Sequence, residues 1–134
     1  MYQVVIGSNE KTFVLPLAVA KDGKVEAGIE LYGPDSTAYT EAELSIDANK
    51  MQQAALRGRA LDATNPDDAK EILTQRYDRE VALYAAVTKG WFGLSADGKE
   101  FPYSPENAEN LYRADSTLRA RVFEALSSRA NFLK

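Results

Sequence analysis

The chain contains no cysteine and no histidine. Without cysteine there is no disulfide, no thiolate nucleophile and no thiolate metal ligand. Without histidine, the one side chain that titrates unperturbed near neutrality is missing. Ser-His and Cys-His nucleophiles, His-bound zinc and imidazole acid–base chemistry are excluded with it. Catalysis would have to rest on carboxylates, Lys, Tyr or a hard, oxygen-ligated cation such as magnesium. Long apolar runs are also lacking, and none approaches the roughly 20 residues of a membrane-spanning helix. The opening Met1-Tyr2-Gln3-Val4-Val5 has neither a basic stretch nor a small-residue cleavage site, so no secretory signal is expected.

The 134 residues suit one domain, 1–134. Hydrophobic residues make up 45% and charged residues 27%, a balance that supports a packed core. The net charge of −4 repels nucleic acid phosphates overall, so binding them would need a local basic patch.

Residues 1–33 read as β-rich. Gln3 to Ile6 and Lys11 to Val19 are rich in β-branched and aromatic residues. Asp22-Gly23 supplies a turn, and Val25, Ala27, Ile29 and Leu31 then alternate with polar neighbours. The pattern predicts an antiparallel hairpin or a three-stranded meander. Pro16 marks its strand as an edge or a bulge.

Residues 34–134 read as about four helices, giving an α+β fold. Asp35 or Ser36 caps a helix from Thr37 to Arg59 whose apolar stripe is thin: Leu44, Ala48, Met51 and Ala55. Asn65-Pro66 opens a second helix, expected to reach Lys89 and to stop at a left-handed Gly90. Its apolar face carries Leu73, Tyr77, Val81 and Tyr84, expected to pack on Leu118, Val122 and Leu126. Ser104-Pro105 and Asp115-Ser116 start two shorter helices, the last burying Leu118, Val122, Ala125, Leu126 and Leu133.

Three stretches invite a chemical reading. Asp67, Asp68 and Glu71 bring carboxylates together as magnesium would require. Acids in a first helical turn equally offset the helix dipole, and the spacing offers no further ligand. Gly93 to Gly98 lacks the Gly-Lys-Ser/Thr ending of a phosphate loop and reads as a hairpin or Ω-type connector. Eight arginines lie in the helical part, interleaved with Glu71, Asp78, Glu80 and Glu124, which predicts ion-paired helix faces rather than a phosphate-binding surface. No catalytic, cofactor or metal residue is expected. The expected protein-binding residues are Trp91, Phe92, Phe101 and Tyr103 in the aromatic connector, with Leu44 and Met51 on the first helix.

Three segments carry a family likeness: Leu31-Tyr32-Gly33-Pro34-Asp35-Ser36-Thr37-Ala38-Tyr39, Gly90-Trp91-Phe92-Gly93-Leu94, and Asp97 through Asn107 followed by two helices ending in Asn131-Phe132-Leu133-Lys134. In their order and spacing the chain resembles the tail assembly chaperones of long-tailed bacteriophages and prophages. The resemblance implies a non-enzymatic, self-associating protein of the host cytoplasm, absent from the mature virion. It would hold the tape measure protein soluble and help recruit tail tube protein, without cofactor, nucleic acid or membrane. It also implies a frameshift-extended form, and Phe132-Leu133-Lys134 can be encoded with a −1 slippery heptamer. Other readings are a head-tail connector or minor tail protein, and a small carboxylate- and magnesium-dependent enzyme.

Overall fold

In the computed structural model, which describes residues 1, 2, 4 and 6–133, β1 (Thr12–Val19) and β2 (Val25–Tyr32) form an antiparallel hairpin. Its turn uses Gly23 at φ 88°, while Asp22 Oδ1 accepts the Lys24 N–H at 2.9 Å. The alternation of β2 turns Ala27, Ile29 and Leu31 into the core. Register sets Phe13 and Leu15 of β1 beside Leu31 and Ile29. β1 is an edge strand, and its pairing slips just after Pro16, which has no N–H to contribute.

The third strand does not come from the N-terminus. Gln3 and Val5 of the expected first strand lie outside the described residues, and Val4 and Ile6 are exposed and belong to no strand. Instead β3 (Thr88–Phe92) pairs antiparallel with β2, giving the order β1-β2-β3.

Each helix start follows a short polar cap. Ser36 accepts the Tyr39 N–H before α1 (Thr37–Arg57), and its own hydroxyl donates to Gly33 O at 2.7 Å. Asn65 accepts the Asp67 and Asp68 N–H groups before α2 (Pro66–Val87). Ser104 and Asp115 cap α3 (Pro105–Ala114) and α4 (Ser116–Ser127), and a 3-10 turn (Arg129–Phe132) follows.

α2 stops two residues earlier than expected, and Gly90 plays no part. Thr88 is already extended at φ −79°, ψ 114°, and Gly90 lies in β3 opposite Glu30. The open edge of β2 offers backbone partners that β-branched Thr88 takes up readily. Its hydroxyl donates back to Tyr84 O at 2.8 Å, which closes the helix end.

One core unites sheet and helices: Leu15, Ile29 and Leu31 meet Val81, Tyr84 and Val87 of α2, Tyr112 of α3, and Val122 and Leu126 of α4. Two expected members are absent. Leu73 is 62% exposed and Tyr77 only half-buried, because the buried apolar residues of α2 run only from Val81 to Val87 and its first half overhangs the core. Leu133 is exposed, and Phe132 is buried in its place. The Phe132 ring meets Phe13 edge-on at 6.1 Å and lies over Gly33, where a Cβ would come within 2.7 Å of it.

Asp68 is a buried carboxylate that ties the α1–α2 connection to the start of α2. Arg59 donates to both its oxygens, at 2.6 and 2.9 Å, and the Asp62 N–H adds a third bond at 3.0 Å. The Arg59 bonds foremost, then that N–H, hold its pKa down at about 2. A depressed carboxylate contributes stability that is complete above its unfolded value near 4 and lost as pH falls toward 2. Urea melts between pH 5 and pH 2 should therefore show a loss of stability that Asp68→Asn flattens. Equal slopes in the two proteins would place the acid sensitivity elsewhere.

Candidate functional site

The connector between β3 and α3 is built around Trp91. Trp91 stands opposite Ile29 in the sheet and so shares its inward face, whereas the next residue, Phe92, stands opposite Gly28 on the outer face. Gly93 at φ 75° then turns the chain away from β2. A small ribbon follows, β4 (Ser95–Ala96) against β5 (Lys99–Glu100), with Asp97 at φ 52° and Gly98 at φ 74° in its turn. Gly93 to Gly98 is thus a hairpin, as the sequence predicts. The ribbon returns Phe101 onto Trp91, with rings stacked at 5.5 Å and 9°. Tyr103 meets the same indole edge-on at 5.1 Å.

Side chain to backbone bonds close this unit. The Trp91 indole donates to Phe101 O at 2.8 Å, Tyr103 OH donates to Thr88 O at 3.0 Å, and the Asn107 amide donates to Pro102 O at 2.9 Å. Each polar tip is satisfied, and the rings stay half-buried.

Beside the stacked aromatics lies an open groove of about 490 Å³. Its walls are Leu17 of β1, Leu94, Ala96 and Phe101 of the connector, Leu111 and Ala114 of α3, and Leu118 of α4. The charged groups on its border are engaged: Arg121 donates to Pro16 O, and Asp115 caps α4 by accepting the Leu118 N–H. Ser95, Asn110 and Thr117 add polar groups, but the surface left to a partner is mainly apolar and of a size that suits side chains of a docked segment.

The six expected binding residues therefore divide. Trp91, Phe101 and Tyr103 come together, and Phe101 reaches the groove. Phe92 is 46% exposed on the opposite face of the sheet, near Val14 across Gly28. Leu44 and Met51 lie exposed on α1. The groove residues Leu17, Leu94, Leu111 and Leu118 carry no local sequence signal for binding, since only the assembled fold brings β1 to α3 and α4. Asp67, Asp68 and Glu71 do not form a metal site, because both Asp68 oxygens are taken by Arg59. Among the described residues no three carboxylates converge on a cation-sized site. Five of the eight helical arginines, Arg59, Arg79, Arg113, Arg119 and Arg129, are bound to carboxylates, which neutralises much of any basic surface. No helix among the described residues is long and apolar enough to cross a membrane.

Neither the curated proteins nor the solved structures compared with the chain give a match. A family model does match, that of the YdaY prophage protein, over residues 39–134. That span begins in the first turn of α1 and takes in β3, the aromatic connector, α3 and α4, hence most of the groove. With well over half its length matched, the chain belongs to the YdaY prophage protein family.

Proposed function

We propose that the protein is a non-enzymatic tail assembly chaperone that binds the tape measure protein in the host cytoplasm and helps bring tail tube subunits to it. The observation that carries this reading is the apolar groove beside the Trp91–Phe101 stack, in a prophage-family chain without histidine or cysteine. A tape measure protein is a long helical chain whose apolar stripes need cover until the tube encloses it. An open groove with aliphatic walls and one aromatic edge covers such a stripe through shape and apolar contact, and needs no nucleophile.

Ala114 provides a clean test, because it lines the groove and is exposed at the end of α3. Ala114→Arg should leave the thermal melt within about 0.5 kcal/mol of wild type, as exposed substitutions do. It should weaken co-purification with the tape measure protein roughly tenfold or more by filling the groove with a charge. Undiminished co-purification would move the binding surface elsewhere. Recovery of the protein in washed, finished particles would favour a connector or minor tail protein, since a chaperone leaves before completion.

A further inference from the structure

The groove beside the Trp91–Phe101 stack is electrically balanced. Among the described residues that line it, only Asp115 and Arg121 are ionised, one of each sign. Both are already engaged inside the fold, Asp115 as the cap of α4 and Arg121 on the Pro16 carbonyl. The neighbouring ribbon adds Glu100 across from Ser95 and Lys99 across from Ala96, again one of each sign. The other polar residues at the border, Ser95, Asn110 and Thr117, are exposed and uncharged.

Such a border selects against charge in whatever lies on it. A charged side chain placed there would lose hydration and meet no opposite charge free to replace it. Amides and hydroxyls lose less, and they can exchange hydrogen bonds with Ser95, Asn110 and Thr117. The backbone form of the occupant follows from β1, the sheet edge at the groove. A docked strand would need the backbone groups of that edge, yet Pro16 has no N–H and its carbonyl already accepts from Arg121. Two other walls belong to α3 and α4, where small Ala114 separates Leu111 from Leu118 and leaves room for the side chains of a helix. We infer that the groove takes an uncharged amphipathic helix, with aliphatic anchors at i, i+3 or i+4, and i+7 flanked by Gln, Asn, Ser or Thr. This builds on the groove as the tape measure site, and narrows that site's ligand to an uncharged helical stretch of the partner.

Dye-labelled model helices alike in their leucine anchors, but flanked by Gln, by Glu or by Lys, test it by fluorescence anisotropy. The Gln helix should bind at least about tenfold more tightly than either charged one. Its affinity should change less than about twofold between roughly 50 and 500 mM NaCl, because no ion pair is screened. Trp91 is the only tryptophan and stacks on Phe101 at the groove, so its fluorescence should respond to an unlabelled Gln helix. Asn110→Lys, at an exposed border position, should leave the thermal melt unchanged and turn the preference toward the Glu helix by about threefold or more. A charged helix bound by the wild type as tightly as the Gln helix overturns the inference. So does an Asn110→Lys protein whose preference is unchanged. Ala114→Arg separates this inference from the chaperone reading. If that variant loses the tape measure protein while no model helix binds the wild type, this inference falls and the chaperone reading stands. If it keeps the tape measure protein while the wild type still binds the Gln helix, the tape measure site lies elsewhere and the uncharged-helix chemistry of the groove stands.

Discussion

Gly93→Ala should destabilise the protein by about 3 kcal/mol or more, adding the cost of a left-handed backbone to that of a forced overlap. Gly93 ends β3 at φ 75°, a conformation that L side chains rarely adopt. A Cβ there would lie 2.2 Å from Glu26 O, 2.9 Å from Ala27 Cα and 3.0 Å from Ala27 Cβ. The two nearest atoms are backbone, and Ala27 is a buried residue of the central strand, so relief requires moving β2 itself. The variant should therefore lose β2–β3 pairing and with it the anchor of Trp91. Gly98 is the control. It has φ 74°, yet nothing lies within 4 Å of its would-be Cβ, so Gly98→Ala should cost only about 1 kcal/mol from conformation. Urea midpoints of the two variants measure the difference. Equal midpoints would mean that the close approach at Gly93 does not exist.

The contrast between these glycines reflects how much of the fold the sequence displays. The Asp22-Gly23 turn, the alternation of β2 and the cap-then-proline starts at Asn65-Pro66 and Ser104-Pro105 are local signals, and each appears where its chemistry places it. Pro16 likewise marks an edge strand and its slipped register. β3 has no such signal. Val87 and Thr88 continue the helical pattern of α2, and only the vacant edge of β2, set far earlier in the chain, draws Thr88 into a strand. Leu73 shows the same limit from the other side. It continues an apolar stripe in perfect period, but periodicity does not reveal where neighbouring helices stop covering that stripe.

The site divides on the same principle. Trp91, Phe101 and Tyr103 lie close in sequence, so their clustering is legible as an aromatic connector. That Phe92 turns away follows from strand alternation once β3 is recognised, and not before. The groove itself joins Leu17 to Leu111 and Leu118 across most of the chain. The α1 stripe was legible too. A helix with so thin a stripe gains little from one-sided burial and points to partial exposure or a partner. α1 packs through Tyr39, Ala42 and Ile46 while Leu44 and Met51 stay outside.

Tyr112→Ala should cost about 3–5 kcal/mol, because it empties the largest fully buried side chain of the core. The ring stands edge-on to Tyr84 at 6.0 Å and 75°, at the junction of α2, α3 and β3. Its hydroxyl lies 2.7 Å from Thr88 Oγ1, and Thr88 already donates its only hydroxyl proton to Tyr84 O. Tyr112 is therefore the donor in this pair, and Thr88 the acceptor. Tyr112→Phe keeps the ring but removes the donor, so it should cost only about 1 kcal/mol at neutral pH. The two variants separate ring from hydroxyl, and pH separates them again. Burial pushes the Tyr112 phenol up to about 12, and burial foremost raises Tyr84 to about 12 as well. An unfolded phenol ionises near 10. Between those values the unfolded chain releases protons that the folded chain retains, so stability is complete below about 10 and falls as pH rises toward 12. Tyr112→Phe abolishes one of these two losses. Its deficit relative to wild type, measured by urea melts at pH 8 and at pH 11, should shrink at the higher pH. A deficit that stays constant or widens would mean that Tyr112 ionises as easily in the folded protein as in the unfolded one, and that its hydroxyl is not held in the buried pair with Thr88.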